Sequence, residues 1–394
     1  MKGRQYRTSE AVTEGHPDKI ADQIADALLD DILAGDPLAR VAVEALVTGS
    51  YVLVAGEVTT ASELGAARVR EIVRNVIVEI GYEDPELGFC AQNAEIEVKL
   101  RRQSREIAAA VGAPAITPEE MGAGDQGIMI GYATTETAEL LPLPSVLAQR
   151  LARRLARARR ERTLSFLRPD GKTQVTVEYE DGKVRRVEAV VVSAQHNPDV
   201  SQEELRDGIK REIILPVIPR DLVDENTKFH INPSGSFIGG GPVADTGLTG
   251  RKLLVDTYGC AANNGGGSLS GKDPTKVDRS GAYAARWAAK NLVASGLCRE
   301  AEIELAYAIG VAHPVAINVT SRGTGMVADE KLRQIVQDAF DFRPGMIIEA
   351  LQLRKPIYRQ VSVYGHFGRP ELDLPWERLN QIEAIRRTSK SLEL

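Results

Sequence analysis

Paired β-rich segments with very short connections constrain the fold of this chain more than any other feature. Positions 40–60 contain two such runs on either side of Gly49-Ser50, and positions 173–192 contain two on either side of Asp181-Gly182. Two-residue connections of this composition favour antiparallel hairpins. Because neighbouring strands of a hairpin need no crossover helix, we expect antiparallel sheets covered by helices rather than a doubly wound parallel sheet.

Amphipathic helices alternate with these strands. Ile20, Ile24, Leu28 and Ile32 lie at helical spacing, and Pro17 precedes them where a first-turn proline is favoured. The order helix, paired strands, helix recurs three times, which favours an α+β fold. Further helices are predicted over 62–80, around Leu147, Leu151 and Leu155, and over 277–294 and 329–340; further strands are predicted over 93–102, 251–257, 302–309 and 315–320.

Length and composition indicate a globular protein with two or three domains. The chain has 394 residues, of which 43% are hydrophobic and 26% are charged. A net charge of −6 argues against general nucleic-acid binding, and no run approaches the roughly 18 apolar residues of a membrane span. The three cysteines, Cys90, Cys260 and Cys298, lack the spacing of a disulfide framework or a zinc site. Together with the absence of an apolar signal core near the first residue, this predicts a cytoplasmic protein.

The segment 265–280, GGGSLSGKDPTKVDRS, combines glycines, lysines, aspartates and an arginine. Glycines let backbone N–H groups approach an anion, basic side chains neutralise phosphate, and aspartates hold a divalent cation that bridges phosphate oxygens. A flexible surface loop would explain the glycines but not the charges. We therefore predict an enzyme that acts on a nucleoside triphosphate.

Two general phosphate-binding patterns also occur, and neither has the expected context. Positions 122–127 match G-x-G-x-x-G, but a loop precedes them and a strand-like run follows, so a dinucleotide fold is not expected. Positions 266–272 match G-x-x-x-x-G-K, but Asp273 stands where a P-loop needs Ser or Thr, and Pro274 follows. A P-loop is therefore not expected either.

Basic and acidic residues near the start of the first helix suggest a second part of an anion site. His16 and Lys19 are candidates for the phosphate side and Asp18 for a metal ligand, because a helix N-terminus attracts anions. The alternative is an ordinary capped helix in which Asp18 offsets the helix dipole. A third cluster joins the glycines of 239–241 to Asp245, Arg251 and Lys252, and Lys172 could add another cation.

Other charged residues are interpreted without a role in catalysis. The helix that contains Leu151 has arginines on its opposite face but no interleaved aromatic residues, so a solvated face is favoured over a nucleic-acid surface. No Ser/His/Asp or Cys/His arrangement stands out. If the polyphosphate is a leaving group, no covalent nucleophile is required. The arginines are Arg150, Arg153, Arg154, Arg157 and Arg160, and His196, His230, His313 and His366 are assigned structural roles.

Long segments of the chain resemble the methionine adenosyltransferase, or S-adenosylmethionine synthetase, family. They are EGHPDKIADQIADALLD at 14–30, GAGDQG at 122–127, the run at 231–259, the run at 265–283 and YGHFGR at 364–369. The resemblance covers essentially the whole chain. It implies synthesis of S-adenosylmethionine, phosphate and pyrophosphate from ATP and L-methionine, with two Mg²⁺ ions per active site and activation by K⁺.

The resemblance also implies an architecture. Three similar α+β domains would surround a pseudo-threefold axis, with an N-terminal domain over 1–105, a central domain over 117–238 and a C-terminal domain over 239–394. These boundaries are approximate, and each domain can be discontinuous in sequence. The protein would be a homodimer with active sites between subunits, or a dimer of dimers, without nucleic-acid or membrane partners.

Residue roles follow from the same resemblance, position by position. His16 would contact ATP near the scissile bond, Phe237 would stack on adenine, and Glu44 would serve potassium. Asp18 and Asp278 would serve magnesium. The catalytic residues would be His16, Lys172, Arg251, Lys272 and Lys276. The ATP-binding residues would be these five with Asp170, Phe237, Asp245 and Lys252. The methionine-binding residues would be Glu57, Gln103, Asp125, Asp245 and Lys276. The flexible loop would include Gln103, Ser104, Arg105, Glu106 and Ala113.

The sequence departs from the family pattern at three places. QSREI at 103–107 replaces the usual QSPDI, ALVTGS at 45–50 replaces TYVKTG, and Asn264 replaces a histidine before the glycines. The first change is expected to alter how the loop 103–126 closes. None of these positions belongs to the predicted polyphosphate site, so we expect the reaction itself to be retained.

The implied reaction agrees with the residue chemistry. A thioether sulfur is nucleophilic without losing a proton, so its attack on ribose C5′ needs no general base. Charge develops instead on the tripolyphosphate, and preorganised cations are then the largest catalytic contribution. Holding sulfur in line with C5′ adds proximity. Two rival hypotheses remain: a kinase or ATPase of the P-loop type, and a nucleotide-binding module without activity.

Overall fold

The computed structural model describes residues 3–102 and 117–391. The α-helices are α1 (Pro17–Gly35), α2 (Ala66–Ile80), α3 (Leu143–Arg160), α4 (Gln202–Ile209), α5 (Leu215–Val217), α6 (Leu253–Asp256), α7 (Val277–Ala294), α8 (Asp329–Ala339), α9 (Pro344–Ala350) and α10 (Ile382–Ser391). The strands are β1 (Arg4–Val12), β2 (Arg40–Thr48), β3 (Tyr51–Thr59), β4 (Glu95–Arg101), β5 (Gly127–Thr134), β6 (Leu167–Glu180), β7 (Lys183–His196), β8 (Lys228–Ile231), β9 (Gly247–Leu248), β10 (Glu300–Tyr307) and β11 (Ala316–Thr320).

The first sheet has the strand order β4-β3-β2-β9. β2 and β3 form the predicted antiparallel hairpin around Gly49-Ser50, whereas β4 runs parallel to β3. Helix α1 packs on β2 through apolar residues at helical spacing, such as Ile20 and Ile24, which are fully buried. Pro17 lies in the first turn of α1, as its fixed φ favours.

The second sheet has the order β1-β6-β7-β8. β6 and β7 are joined by Asp181-Gly182, both with positive φ, as the predicted two-residue hairpin requires. Leu147, Leu151 and Leu155 of α3 are buried against this sheet. The third sheet, β11-β10-β5, is antiparallel and is covered by α7.

The predicted α+β architecture is confirmed: helices cover sheets that are mostly antiparallel, although the β3–β4 and β7–β8 pairs are parallel. Each sheet also takes a strand from another of the three predicted segments. β1 joins the sheet of β6–β8, β5 joins β10, and β9 pairs with β2. The three segments therefore interlock through backbone hydrogen bonds.

The predicted strand over 251–257 is wrong. Residues 253–256 form α6, in which the Asp256 N–H donates to the carbonyl of Lys252 over 2.9 Å. The apolar composition of this run suits a strand, but the helical turn directs the Asp256 carboxylate to the buried Lys19 ammonium. Tertiary pairing of charges therefore overrides local propensity.

Helix α2 is shorter than the helix predicted over 62–80, because it begins only at Ala66, after the N-cap residue Gly65. Within residues 3–102 and 117–391, no helix combines the length and the apolar character that spanning a bilayer demands.

Candidate active site

The start of α1 fixes the position and protonation of His16. Its Nδ1 caps the helix by accepting the backbone N–H of Asp18 over 3.2 Å, and only 1% of the residue is exposed. Burial, with the nearby charges of Lys252 and Lys172, lowers the pKa of His16 to about 3. The imidazole is therefore neutral, with its proton on Nε2, and its 3.9 Å separation from Asp18 Oδ2 is not an ion pair.

The Asp18 carboxylate joins two clusters that are far apart in sequence. Oδ2 accepts from Lys252 Nζ over 2.6 Å, and Oδ1 accepts from Leu248 N over 3.0 Å and lies 3.3 Å from Arg251 Nε. Burial alone would raise the pKa of Asp18, but the hydrogen bonds from Lys252 and from the backbone N–H of Leu248 lower it. The simpler interpretation of Asp18 as a dipole-offsetting residue does not account for bonds that reach 230 positions along the chain.

Strand β6 adds Asp170 and Lys172 to the same region. Asp170 is 5% exposed; its Oδ2 accepts from Gly241 N over 2.9 Å, while its buried Oδ1 has no hydrogen-bond partner among the described residues. Burial raises the pKa of Asp170 to about 6, with a contribution from the nearby Asp245. Lys172 is exposed beside His16. We name this set the Asp18 group: His16, Asp18, Asp170, Lys172, Asp245, Arg251 and Lys252.

Phe237 is held by His196, whose neighbour Gln195 accepts the backbone N–H of Asp170 in the Asp18 group. The two residues exchange hydrogen bonds: His196 N donates to the Phe237 carbonyl over 3.0 Å, and Phe237 N donates to His196 Nε2 over 3.1 Å. The ring of Phe237 is half-buried. His196 thus has the structural role predicted for it.

A second set of predicted residues lies just before and within the first turn of α7, and we name it the Asp278 group: Lys272, Lys276 and Asp278. Asp278 accepts from Lys272 Nζ over 2.5 Å and from Gly267 N over 2.8 Å. Lys276 is the N-cap residue of α7, and its ammonium donates to the buried Asp273.

Asp273 holds this segment against the first sheet. Its carboxylate accepts from Val41 N over 2.6 Å and from Thr275 N over 2.9 Å, and lysine and backbone donors lower its pKa despite complete burial. A P-loop would have a magnesium-binding hydroxyl here and a strand leading in, whereas residues 249–271 form no strand. The expectation that this is not a P-loop is confirmed.

The 122–127 segment lies against the Asp278 group. A Cβ on Gly124 would lie 2.6 Å from the carbonyl oxygen of Thr275, so the two backbones are in contact. Asp125 beside it is exposed. Strand β5 begins at Gly127, so the expected absence of a dinucleotide-binding turn is confirmed.

Glu44 and Glu57 share one face of the first sheet. Ala42 lies opposite Glu57 on β3 and also bridges to Lys272, and Glu44 is two residues along from Ala42. Residues at this spacing and cross-strand partners point to the same face. Both glutamates therefore point to the same face of the sheet as Ala42, next to the bridge between Ala42 and Lys272. Gln103, Ser104, Arg105, Glu106 and Ala113 lie outside the described residues.

Several supporting residues were not predicted from the sequence. Glu14 is buried beside the His16 turn and accepts from Arg159 over 2.8 Å and Arg160 over 2.6 Å. Arg160 keeps 53% of its side chain exposed, as predicted for a solvated face, but its guanidinium also pairs with the buried carboxylate of Glu14, which the prediction missed because it is distant in sequence. Asp22, Asp26 and Arg279 were also missed, although aspartates at strict four-residue spacing along α1 are visible in the sequence.

The described part of the chain contains no group of three or more His, Cys, Asp or Glu residues that could hold a metal ion alone. Asp18 and Asp278 are single carboxylates with lysine partners. Magnesium is often held by one or two carboxylates together with substrate phosphates. The residues therefore fit a metal that binds together with polyphosphate, not one in an all-protein cage.

Comparison with known proteins identifies one family over nearly the whole length of the chain. Models of the N-terminal, central and C-terminal domains of S-adenosylmethionine synthetase match residues 4–105, 120–237 and 239–378. S-adenosylmethionine synthase of Finegoldia magna is 51% identical over 389 residues, covering 97% of this chain and 98% of that protein. The synthase of Roseiflexus castenholzii is 52% identical over 396 residues, covering 98% and 97%. The chain therefore belongs to the S-adenosylmethionine synthetase family, whose activity is the ATP-dependent transfer of an adenosyl group to methionine.

Proposed function

We propose that the Asp18 and Asp278 groups bind the triphosphate of ATP while the sulfur of L-methionine attacks C5′. The C5′–O bond breaks as the S–C5′ bond forms, giving S-adenosylmethionine and tripolyphosphate, which the same site hydrolyses to phosphate and pyrophosphate. One observation carries the proposal: each predicted magnesium ligand contacts a lysine from a glycine-containing segment. This is the donor set that a metal–polyphosphate needs.

The protein's contribution to the first step is electrostatic. Sulfur needs no base, so the site must stabilise the negative charge that grows on the leaving oxygen. Neutral His16 keeps a proton on Nε2 for donation to that oxygen. The positive charges are those of Lys172, Arg251, Lys252, Lys272 and Lys276.

Ion-pair exchange explains how a site of fixed charges accepts a charged ligand. Lys252 and Lys272 neutralise Asp18 and Asp278. With polyphosphate bound, both lysines would pair with phosphate oxygens and the two aspartates would be free to hold Mg²⁺, so no buried charge would be left without a partner. Two Mg²⁺ ions held by the two aspartates would neutralise phosphate oxygens and polarise the bridging bonds.

The remaining predicted residues supply orientation. The free Oδ1 of Asp170 is a buried acceptor suited to a hydroxyl of the ribose. Phe237 is proposed to stack on adenine. For methionine, Glu57, Gln103, Asp125 and Asp245 suit the ammonium group, and Lys276 suits the carboxylate. Exposed Glu44 offers oxygen ligands to K⁺.

We further propose a homodimer, or a dimer of dimers, in which one chain's Asp18 group faces its partner's Asp278 group. Within the described residues, no hydrogen bond or ion pair joins the two groups of one chain. The Asp18 group is held to α1 by Asp18, and the segment that carries the Asp278 group is held to α1 by Asp26. These two aspartates are eight residues apart, which is about 12 Å along the helix axis. A cytoplasmic location is supported by three free thiols, Cys90, Cys260 and Cys298.

One assay tests the proposal and separates it from its rivals. The enzyme is incubated with ATP, methionine, Mg²⁺ and K⁺, and phosphate, pyrophosphate and a sulfonium nucleoside are measured, with a control that lacks methionine. We expect all three products in equal amounts. Phosphoryl transfer without a sulfonium product would indicate a kinase or ATPase. ATP binding without methionine-dependent phosphate release would indicate a binding module.

A further inference from the structure

One face of α1 carries an aspartate on each successive turn, Asp18, Asp22, Asp26 and Asp30, of which the first three are fully buried. Asp22 accepts the backbone N–H of Gly250 over 2.9 Å, and Asp30 accepts that of Arg359 over 2.9 Å. Each carboxylate thus anchors a loop that follows much later in the chain. Because like charges at this spacing repel one another, the series needs compensation from those loops.

Asp26 anchors one loop at both of its ends. Its Oδ1 accepts from Gly271 N over 2.8 Å, and Arg279 donates to both carboxylate oxygens over 2.7 and 2.8 Å. Asp26 and Arg279 have no exposed surface. Gly271 and Arg279 are the first and last residues of 271–279, the segment that contains the Asp278 group.

The packing around this carboxylate leaves the segment little freedom to shift. Gly271 has a φ of +77°, and a Cβ there would lie 1.9 Å from the carbonyl oxygen of Val43. The Arg279 guanidinium lies 4.2 Å from the centroid of the Tyr358 ring and donates to the Tyr283 hydroxyl over 3.1 Å. Both ends of the segment are therefore fixed by close contacts as well as by Asp26.

We propose that Asp26 is a positioning residue for the polyphosphate, because it ties Gly271 to Arg279 and so sets the spacing of Lys272, Lys276 and Asp278. The inference rests on the proposed function, since the spacing of these side chains matters to turnover only if they contact ATP. Asp26 is buried and does not touch substrate. It acts through the two residues that it holds.

The test uses Asp26→Asn and Arg279→Lys in the full-length enzyme. Asparagine has one acceptor oxygen, so it cannot hold Gly271 and both nitrogens of Arg279. Lysine keeps the positive charge but lacks the planar fork that pairs with both oxygens. In the folded variants we expect kcat to fall about tenfold or more and the KM for ATP to rise about threefold or more. Binding of magnesium tripolyphosphate, measured by calorimetry, should weaken by about tenfold.

Two matched controls separate positioning from general loss of stability. Glu377→Gln changes a carboxylate that, like Asp26, accepts from a buried arginine of α7 and from a glycine N–H, but that holds no predicted site segment. Arg286→Lys changes another fully buried arginine of α7, which pairs with Glu377 through two 3.0 Å bonds. We expect both controls to lower Tm yet keep kcat and both affinities within about twofold of wild type.

Each outcome decides the question. Loss of kcat and tripolyphosphate affinity in the test variants, but not in the controls, supports the inference. Equal kinetics in test and control variants of similar Tm would overturn it. Should Asp26→Asn fail to fold, Arg279→Lys decides, because it preserves the buried charge balance. Failure of the proposed function is distinguishable: wild-type enzyme would then form no sulfonium nucleoside, whereas tripolyphosphate binding would still test the role of Asp26.

Discussion

The chemistry of single residues in this protein depends on distant partners. His16 is neutral because it is buried near Lys252 and Lys172, and its proton is on Nε2 because Nδ1 caps α1. Lys272 lies on the segment that Asp26 holds, 22% of its side chain is exposed, and its ammonium pairs with Asp278. A charge that is held in place but still accessible can meet a ligand without large rearrangement.

Lys272→Ala is expected to abolish turnover and leave the fold intact. The change removes a charge from the proposed phosphate site but no buried apolar surface. We expect kcat to fall by about 10³ or more, with Tm within a few degrees of wild type. Lys183→Ala, at the exposed end of the β6–β7 hairpin, is the control. Near-normal turnover in Lys272→Ala would count against the proposed site.

Asp30 should make stability depend on pH. Burial raises its pKa to about 6, although the backbone N–H groups of Arg359 and Tyr358 favour the ionised form. The folded state therefore holds a proton that the unfolded state loses near pH 4, so this contribution to stability declines as pH rises from 4 to 6. The full effect is at most about 3 kcal/mol.

The measurement compares urea unfolding of wild type and Asp30→Asn at several pH values. The variant does not ionise at this position, so its deficit in unfolding free energy relative to wild type should shrink between pH 4 and pH 7. A deficit that grows with pH would contradict the raised pKa.

At the scale of elements, close packing between sheet and helix limits what the chain tolerates. Gly131 of β5 lies where α7 crosses the third sheet, and a Cβ there would be 2.0 Å from the backbone of Ala285. We expect Gly131→Ala to lower the unfolding free energy by about 3 kcal/mol or more, measured by denaturant titration. Gly65→Ala is the control, since no atom lies within 4 Å of its added carbon and its φ is −81°. Its cost should stay below about 1 kcal/mol.

Local elements were predictable where a short-range signal decides them. Helix α1 follows from its isoleucine spacing, and both hairpins follow from their two-residue turns. The run at 253–256 was not predictable, because its conformation depends on the partner of Asp256, a lysine 237 positions away. The charged residues of the site were found from composition and resemblance. The aspartates that hold the site segments in place were not found, because the spacing of Asp22 and Asp26 in the sequence is also that of a solvent-exposed helix face, whereas the fold buries both residues.

At the scale of the whole molecule, the proposed sharing of active sites predicts complementation between inactive variants. His16→Ala disables the Asp18 group and Lys272→Ala the Asp278 group. In a mixed dimer, one site would carry both defects and the other would carry none. Co-expression should restore up to about a quarter of wild-type activity, since about half the dimers are mixed and each has one intact site. Activity that stays at the background of the separate variants would argue for sites contained within one chain.

The interlocked sheets also determine when the chain can fold during its synthesis. β1 pairs along its whole length with β6, from Arg4 opposite Glu180 to Val12 opposite Lys172. A ribosome that adds about 5–20 residues per second needs roughly 10 to 30 s between the two strands. Throughout that time the nascent β1 has no sheet partner, and β2 must wait longer still for β9. The amino-terminal third can form its β2–β3–β4 contacts early but emerges well before β6 and β9 exist, so this protein should depend on chaperones during translation more than a chain of independently folding domains would.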